Sequence, residues 1–243
     1  MGDINMKVKP FKIIRYVFVL LVLVNVISLQ LPKVNAIDTL TFNPVSDTFV
    51  ESDKPSANQG EFMWLMVDFS NTNTSEDLTR NAYLLFDLTT LSTNISLIKS
   101  ATLQLQRSWT FPQTTQVGVH SCSDTQWNEM NLTWSNAPPF SPEPLDITTL
   151  NPDDEESWIS WNVTEAVKNS QENYMTLVLT VEEGTGIYIT GFFAKESNYD
   201  IPKLVIEYEI IPEFPLWTIL PLFLTGTLAV IVFKKKASSL RST

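Results

Sequence analysis

The sequence predicts an all-β fold, an antiparallel β-sandwich, for the central part of the chain, residues 37–211. Two observations predict it. Several segments alternate apolar and polar residues with a period of two, which is typical of half-buried strands. Loops rich in Asn, Ser, Thr and Pro separate these segments, as in 70–79 and 137–144. Strands at this spacing, joined by polar loops, indicate two packed antiparallel layers.

Four segments carry the strongest strand signals. Residues 101–106 alternate apolar and polar side chains, so we expect Leu103 and Leu105 in the core and the glutamines in solvent. Residues 83–88 predict an apolar strand of a more buried kind, and 175–181 and 204–210 predict two further strands. Only residues 165–169 predict a short helical turn.

The first 36 residues predict a secretory signal peptide. An apolar segment, 16–29, follows four cations and is followed by a small-residue sequence that ends at Ala36. This order is typical of signal peptides, and the apolar part is short for a membrane span. An uncleaved first helix that ends near Pro32 is the alternative, with the same domain outside the membrane in either case.

The C-terminal region predicts a membrane anchor. Residues 214–233 contain no charge, and Lys234, Lys235 and Lys236 follow at once. Twenty helical residues at about 1.5 Å each span a hydrocarbon core of about 30 Å. The lysines favour a cytoplasmic tail, 234–243. We therefore expect a stalk and single span over 212–233, with residues 37–211 on the extracellular face of the cell membrane.

The charge of the predicted ectodomain excludes some partners. Between residues 37 and 213 there are seven Lys and Arg and 26 Asp and Glu, and seven minus 26 gives −19. Nucleic acid is excluded, because phosphate binding needs a basic face. Anionic polysaccharide is disfavoured unless a local basic groove escapes the average. Neutral glycans and divalent cations fit better.

Two residue counts argue against disulfides and against catalysis. Cys122 is the only cysteine and lies in an alternating segment, so we expect a buried structural thiol. His120 is the only histidine, so a histidine metal centre or a Ser-His-Asp triad has no second candidate. The sequence predicts a protein that is not an enzyme.

Seven segments, in order, resemble the extracellular DNRLRE domain, which is grouped with carbohydrate-binding module family 96. They match its Asp-Thr-x-Val strand, its Asn-x-Gly loop, its Arg-to-Leu and Ser-Ala-x-Leu strands, its two tryptophan motifs and its final Pro-x-Leu-x-Ile-x-Tyr strand. The matching residues are Asp47 to Val50, Asn58 to Gly60, 80–88, 98–105, 127–138, 158–164 and 202–208. The resemblance implies a jelly-roll-like sandwich and a role at cell surfaces or on polysaccharide-acting proteins.

The C-terminal segment is also similar to an archaeal sorting signal. Pro212, Glu213 and Phe214 precede the apolar segment, and a basic cluster follows it. The resemblance implies that a membrane transpeptidase cuts near this motif and attaches a lipid. A plain transmembrane anchor is the alternative.

Three aromatic residues are the candidate sugar-binding platforms. Trp64, Trp109 and Tyr188 lie outside the recurring tryptophan motifs, and aromatic faces can stack on sugar rings. The tryptophans inside those motifs are instead expected to pack against the sandwich. They are Trp127, Trp134, Trp158 and Trp161.

Acidic residues raise the question of calcium. Asp153, Asp154 and Glu155 form a dense acidic loop, which is a candidate calcium site or a solvated surface. A site near Asp47, Asp53 or Asp200 is the alternative, and no spacing in the sequence selects it. For Arg80 we expect a buried carboxylate partner, either Asp87 or Asp47.

Four Asn-x-Ser/Thr sequons are candidate glycosylation sites: Asn73, Asn94, Asn131 and Asn162. Asn73 and Asn94 lie in predicted loops, whereas Asn131 and Asn162 lie inside motifs that we expect to be structural.

The sequence therefore predicts a surface-anchored, non-catalytic module that binds a polysaccharide or a cell-envelope glycan, or that acts in adhesion. A structural envelope protein with a protein partner is the alternative. A polysaccharide-acting enzyme ranks behind both.

Overall fold

A computed structural model of the 243-residue chain describes residues 19, 36–70, 78–91, 97–109, 113–153, 156–170, 173–182, 187–210, 223–224, 226–228 and 230–231, with backbone alone at 36, 109 and 187. The chain divides into two compact units. One unit comprises residues 37–209, and the other comprises residues 1–36 together with 210–243.

The described residues between 36 and 210 contain eleven strands and one short α-helix. The strands are β1 (Ala36–Phe42), β2 (Pro44–Glu51), β3 (Trp64–Ser70), β4 (Leu78–Asp87), β5 (Ile98–Trp109), β6 (Thr115–Cys122), β7 (Asp146–Leu150), β8 (Trp158–Asn162), β9 (Tyr174–Val181), β10 (Ile187–Phe193) and β11 (Lys203–Ile210). The helix α1 is Thr164–Asn169, and Trp134–Asn136 forms one 3-10 turn.

The strands form one antiparallel sheet that curls strongly into a half-barrel. Its order is β1-β11-β5-β10-β3-β4-β9-β6-β7, with β2 paired to β4 and β8 paired to β5. The curl brings β8 against β6 and β7: the Trp161 indole donates to the Val117 carbonyl at 2.8 Å, and the Thr148 hydroxyl donates to the Ser160 carbonyl at 2.9 Å. The predicted all-β antiparallel fold is confirmed, and the two opposed layers are two walls of one curled sheet.

The main core fills the inside of the curl, and the period-two prediction for β5 is confirmed. Leu103 and Leu105 are fully buried, whereas Gln104 and Gln106 between them are partly exposed. Trp161 is fully buried and packs edge-to-face on Phe192, with ring centroids 5.7 Å apart. Since full burial of a Leu side chain contributes about 1.5–3 kcal/mol, this cluster stabilises the fold most directly.

A second apolar cluster lies on the opposite face of β4 and β9. Tyr83 and Val178 belong to it, while their chain neighbours Leu84 and Leu177 belong to the main core, as alternation requires. The segment 123–145 covers this face. Trp127 packs edge-to-face on Tyr83 and donates its indole N–H to the Thr176 hydroxyl at 3.0 Å.

The predicted packing role of the motif tryptophans is confirmed. Trp127 and Trp134 pack against the second cluster and Trp161 lies in the main core. Trp158 is half-buried under the Lys203 ammonium, which lies 3.6 Å from the ring centroid. Cys122 is a buried free thiol in β6, as predicted, and burial raises the pKa of that thiol, which disfavours the reactive thiolate.

The other unit is described only in part. Helical residues occur at 19, 223–224, 226–228 and 230–231, and the Thr227 hydroxyl donates to the carbonyls of Phe223 and Leu224. Within the described positions, no helix has both the length and the apolar character needed to cross a membrane. Most of the predicted signal peptide and span, and all of Pro212, Glu213 and Phe214, lie outside the described residues.

The central strand β5 provides a test of the core. We expect Leu103→Asp to abolish the native thermal transition, because it buries a charge in an apolar interior. Leu103→Ala should lower the free energy of unfolding by about 2–5 kcal/mol. Gln104→Asp, which changes the next, partly exposed residue, is the matched control. A native transition in Leu103→Asp, measured by circular dichroism, would show that this side chain is not in the core.

Candidate functional site

One cleft of the described residues, of about 520 Å³, lies between β2, β3, β4 and the loop that joins β2 to β3. The strands and that loop supply its aromatic, charged and amide side chains. Its lining residues are Phe49, Glu51, Lys54, Gln59, Phe62, Trp64, Met66, Arg80 and Ser108.

The aromatic side of the cleft is exposed. Trp64 is 38% exposed and Phe62 is 48% exposed, so both present apolar surface to solvent. Alternation along β3 buries Leu65 and leaves Trp64 outside the core. Phe62 packs edge-to-face on the buried Phe49, with centroids 5.8 Å apart and planes at 87°, so its position is held from below.

The charged side of the cleft is a row of three residues on three neighbouring strands. Glu51 of β2 and Asp68 of β3 both lie opposite Arg80 of β4 in the strand register. The Arg80 Nε donates to Glu51 Oε2 at 3.0 Å, and its Nη1 contacts Asp68 Oδ2. Lys54 and Gln59 both donate to Glu51 Oε1, at 3.2 and 2.5 Å.

The predicted partners of Arg80 are wrong. Asp87 lies at the far end of β4 from Arg80, and Asp47 lies opposite Leu84 rather than Arg80. Strand register decides the pairing, because a guanidinium reaches residues opposite or diagonal to it on neighbouring strands, and Asp47 lies four positions along β2 from the residue opposite Arg80. The prediction that Arg80 pairs with buried carboxylates is confirmed.

The three ionisable groups of this row differ in the direction and cause of their pKa shifts. Burial alone would raise the pKa of Glu51, but hydrogen bonds from Arg80 and Lys54 outweigh it and hold that pKa below its usual range. Burial raises the pKa of Asp68 to about 6, and the Arg80 charge offsets only part of this effect. Burial acts to lower the pKa of Arg80, but the charges and hydrogen bonds of Asp68 and Glu51 outweigh it. The net effect is a raised pKa, so the guanidinium stays protonated.

The structure places one of the three predicted platform residues in the cleft. Trp64 lines it, and Trp109 is adjacent in register, since its backbone pairs with Gly191, which pairs with Met66. The Trp109 side chain lies outside the described part of the chain. Tyr188 pairs with Phe69, five residues along β3 from Trp64, which is about 17 Å at the rise of a strand. Tyr188 is therefore not brought to this cleft.

Some of the other candidate residues predicted from the sequence lie outside the described ranges. Asp153 is exposed, and Asp154 and Glu155 are not described. Among the sequons, Asn73 and Asn94 are not described either.

The two described sequon residues are both exposed. The backbone carbonyl of Asn131 accepts from Asn136, and the side-chain oxygen of Asn162 accepts from the N–H and hydroxyl of Thr164. Use of any sequon stays a prediction.

A second polar cluster was not selected from the sequence. Asp47 is buried at the start of β2, and Glu129 and Glu196 come from two distant loops. The Asp47 N–H donates to Glu129 Oε1 and the Lys195 N–H donates to Asp47 Oδ2, both at 2.9 Å. Burial raises the pKa of Asp47 to about 8, the Lys195 amide opposes this, and the neighbouring glutamates add to it.

The loop between β2 and β3 is seated on this second cluster. The Asn58 side chain donates to the carbonyls of Glu129 and Leu132, at 2.7 and 2.9 Å. A Cβ on Gly60 would lie 2.7 Å from the Glu129 carbonyl oxygen, so only glycine permits this approach. Gln59, between them, bonds to Glu51 in the cleft. The Asn-x-Gly motif therefore joins the cluster to the cleft.

Sequence reasoning missed most of the cleft. Phe62 had a usable signal, because it opens an apolar run that directly follows a polar loop. Glu51, Lys54 and Gln59 had none, because their proximity to Arg80 follows from strand register and loop conformation.

Comparison with known proteins relates the strand-containing part of the chain to one family of modules. The sequence model of carbohydrate-binding module family 96 matches residues 38–208, from β1 to β11. A gellan lyase from a Bacillus species is 27% identical to this chain over 186 residues. That alignment covers 73% of this chain and 7% of the lyase, so the chain spans a small fraction of this curated relative.

The charged row provides a test of stability. We expect Arg80→Met to lower the free energy of unfolding by about 3 kcal/mol at neutral pH, because it leaves two buried carboxylates without their cation. The loss should shrink as the pH falls. Without Arg80 the folded-state pKa values of Glu51 and Asp68 lie above their unfolded values, so protonation stabilises the folded variant.

Wild type should show the opposite trend at Glu51. The Glu51 pKa is lowered in the folded state, so its contribution is present above its usual pKa and is lost as the pH falls through the folded value. Urea unfolding of both proteins at about pH 8 and about pH 3 measures the difference. Lys99→Met removes the exposed Lys99–Glu209 pair and is the control, with an expected change under about 1 kcal/mol. A loss in Arg80→Met that is independent of pH would contradict this account.

Proposed function

We propose, from the premise that this chain belongs to carbohydrate-binding module family 96, that the cleft at Trp64 binds a carbohydrate chain. The observation that carries the proposal is the exposed indole of Trp64 beside hydrogen-bonding groups that the fold holds in place. Small-molecule sites commonly combine an apolar wall with a few oriented polar groups. For the fold, we propose the jelly-roll-like sandwich that the family resemblance implies, in which the two sides of the curled sheet are the two layers of the sandwich.

The aromatic wall suits the apolar faces of sugar rings. An indole face carries partial negative charge, and the C–H groups of a pyranose face are weakly positive and apolar. Trp64 and Phe62 are both exposed, and Phe49 supports Phe62 from the core. A platform held in this way loses little conformational freedom on binding.

The charged wall suits sugar hydroxyls. A hydroxyl both donates and accepts, and charged partners make the stronger hydrogen bonds. Lys54, Gln59 and Arg80 can donate to sugar hydroxyls, all from within the lining of one cleft. The buried Glu51 carboxylate accepts from all three, so these donors are oriented before a ligand arrives.

The charge balance favours an uncharged sugar. Two cations, Lys54 and Arg80, are paired with two carboxylates, Glu51 and Asp68. The local sum is zero when all four are ionised, inside a domain of strongly negative charge. An anionic glycan would meet no excess of positive charge here, whereas hydroxyl groups need none.

We propose that the module is not catalytic. His120 is 3% exposed, and its ring nitrogens bond to the Ser141 carbonyl, the Thr180 hydroxyl and Glu182. Glu51 and Asp68 differ in pKa as an acid–base pair would. Their side chains are only 2% and 0% exposed and share the Arg80 guanidinium, so a glycosidic bond cannot reach them without rearrangement.

We propose an extracellular location with a C-terminal tether. The apolar segment 214–233, the lysines after it and the N-terminal signal pattern support this placement. The motif at Pro212, Glu213 and Phe214 supports cleavage and lipid attachment as the mode of tethering, and a plain span is the alternative.

Binding is tested by calorimetry on the full-length chain, in a detergent buffer, with one uncharged and one uronic-acid polysaccharide. We expect saturable binding of the uncharged polymer, and at least about a tenfold loss of affinity in Trp64→Ala. Tyr174→Ala is the matched control, because Tyr174 is 37% exposed but lies outside the cleft. Absence of binding by the folded protein, or equal losses in both variants, would contradict the proposal.

The tether is tested by comparing the full chain with a variant that stops at residue 211. We expect the full chain in the membrane fraction and the shorter variant in the medium, because removal of 214–233 removes the hydrophobic anchor. Mass spectrometry of the full chain distinguishes an intact tail from a tail cut near Glu213. Release of the full chain into the medium would argue against any C-terminal tether.

A further inference from the structure

Three carboxylates from separate parts of the chain meet beside Lys195. One oxygen each from Asp47, Glu129 and Glu196 lies within 4.8 Å of the others. Two oxygens bound to one Ca²⁺ at about 2.3–2.6 Å are at most about 5 Å apart, because the ion lies between them. The three oxygens therefore already have the spacing of ligands that share one ion.

Unpartnered oxygens in this cluster are a second, independent observation. Asp47 is 1% exposed, and while its Oδ2 accepts the Lys195 N–H, its Oδ1 has no hydrogen-bond partner. The Oε2 atom of Glu196 is likewise buried without a partner. Buried carboxylate oxygens are strongly destabilising unless they are hydrogen-bonded, paired or bound to a metal.

The charge of the cluster matches a divalent ion. The Lys195 ammonium lies 2.9 Å from Glu129 Oε2 and also contacts Glu196 Oε1. With all three carboxylates ionised, as ligands of a cation must be, they and the ammonium sum to −2. Donor sets made only of oxygen favour Ca²⁺ or Mg²⁺ over Zn²⁺, and Ca²⁺ tolerates irregular geometry that Mg²⁺ does not.

We propose that Asp47, Glu129 and Glu196 form a calcium-binding site. It differs from the acidic loop at Asp153, and it requires nothing of the carbohydrate cleft. The ion would join the start of β2 to the loop that follows β6 and the loop that follows β10. Water and backbone carbonyls would complete the six to eight oxygens that Ca²⁺ takes.

Lys195 then competes with the ion. Its side chain is 22% exposed, so the ammonium can turn toward solvent when Ca²⁺ takes the glutamate oxygens. Removal of the ammonium should therefore raise the affinity for Ca²⁺. A salt bridge with only a structural role would give a destabilised variant that does not respond to calcium.

The experiment is calorimetric titration of the chelator-treated full-length chain with CaCl₂, together with melting curves at about 1 mM CaCl₂, within the range in which extracellular modules bind calcium. Melting curves in MgCl₂ and in NaCl of equal ionic strength are the controls. We expect saturable binding and a higher Tm in calcium alone.

Four variants locate the ion, each checked for a native circular dichroism spectrum. Glu196→Gln and Asp47→Asn should each weaken calcium binding at least about tenfold, since even changes around metal ligands cost about 10–100-fold. Asp153→Asn, in the exposed acidic loop, should bind as wild type does. Lys195→Met should bind more tightly than wild type.

Three results would overturn the proposal. One is a folded wild-type chain with neither heat of binding nor a calcium-specific change in Tm. Another is loss of binding in Asp153→Asn with binding retained in Glu196→Gln. The third is a destabilised Lys195→Met that calcium does not stabilise. If Glu196→Gln or Asp47→Asn fails to fold, the wild-type and Lys195→Met measurements decide the matter.

Discussion

The row formed by Glu51, Arg80 and Asp68 is the interaction on which the cleft depends. It joins three strands that contribute to the cleft, β2, β4 and β3, at one level of the sheet. A guanidinium between two carboxylates satisfies both only while the strands keep this register, because its donors have a fixed planar geometry. The row therefore fixes the strand positions from which Phe49, Trp64 and Met66 reach the cleft.

The loop between β2 and β3 connects this row to the acidic cluster. Asn58 and Gly60 are held against the Glu129 backbone, while Gln59 between them turns toward Glu51. Asp47 and Glu51 lie on the same strand and the same face, four residues apart, at the two ends of this arrangement. Contacts at the acidic cluster consequently position the loop that carries Gln59 and Phe62, and they can influence the cleft without touching a ligand.

The negative charge of the domain is distributed unevenly over its surface and sites. Averaged over residues 37–213, it argues against anionic partners. At the cleft Lys54 and Arg80 balance Glu51 and Asp68, whereas at Asp47, Glu129 and Glu196 negative charge accumulates. An uncharged sugar at the first place and a divalent cation at the second are the partners that each local balance favours. The two proposals are independent, since they rest on different residues.

Much of the fold could be predicted because it depends on local pattern. Alternation places Leu103 and Leu105 in the core, Cys122 and Trp161 are buried, and Trp127 and Trp134 pack against the second cluster. The acidic charge and the two apolar segments at the ends are likewise properties of the sequence itself. Trp64, which lines the cleft, could be selected as a candidate sugar-binding residue because it is an aromatic residue outside the packing motifs.

The partners of polar side chains were decided only by the tertiary structure. Arg80 was expected to pair with Asp87 or Asp47 and pairs with Glu51 and Asp68, because strand register selects its neighbours. Glu129 lies within the tryptophan motif 127–138 and Glu196 carries no sequence signal, yet both meet Asp47 across large separations in sequence. The sequence by itself determined which faces are apolar, since alternation is a short-range property. The folding of distant strands and loops determined which charges meet, since that proximity exists only after the sheet has curled.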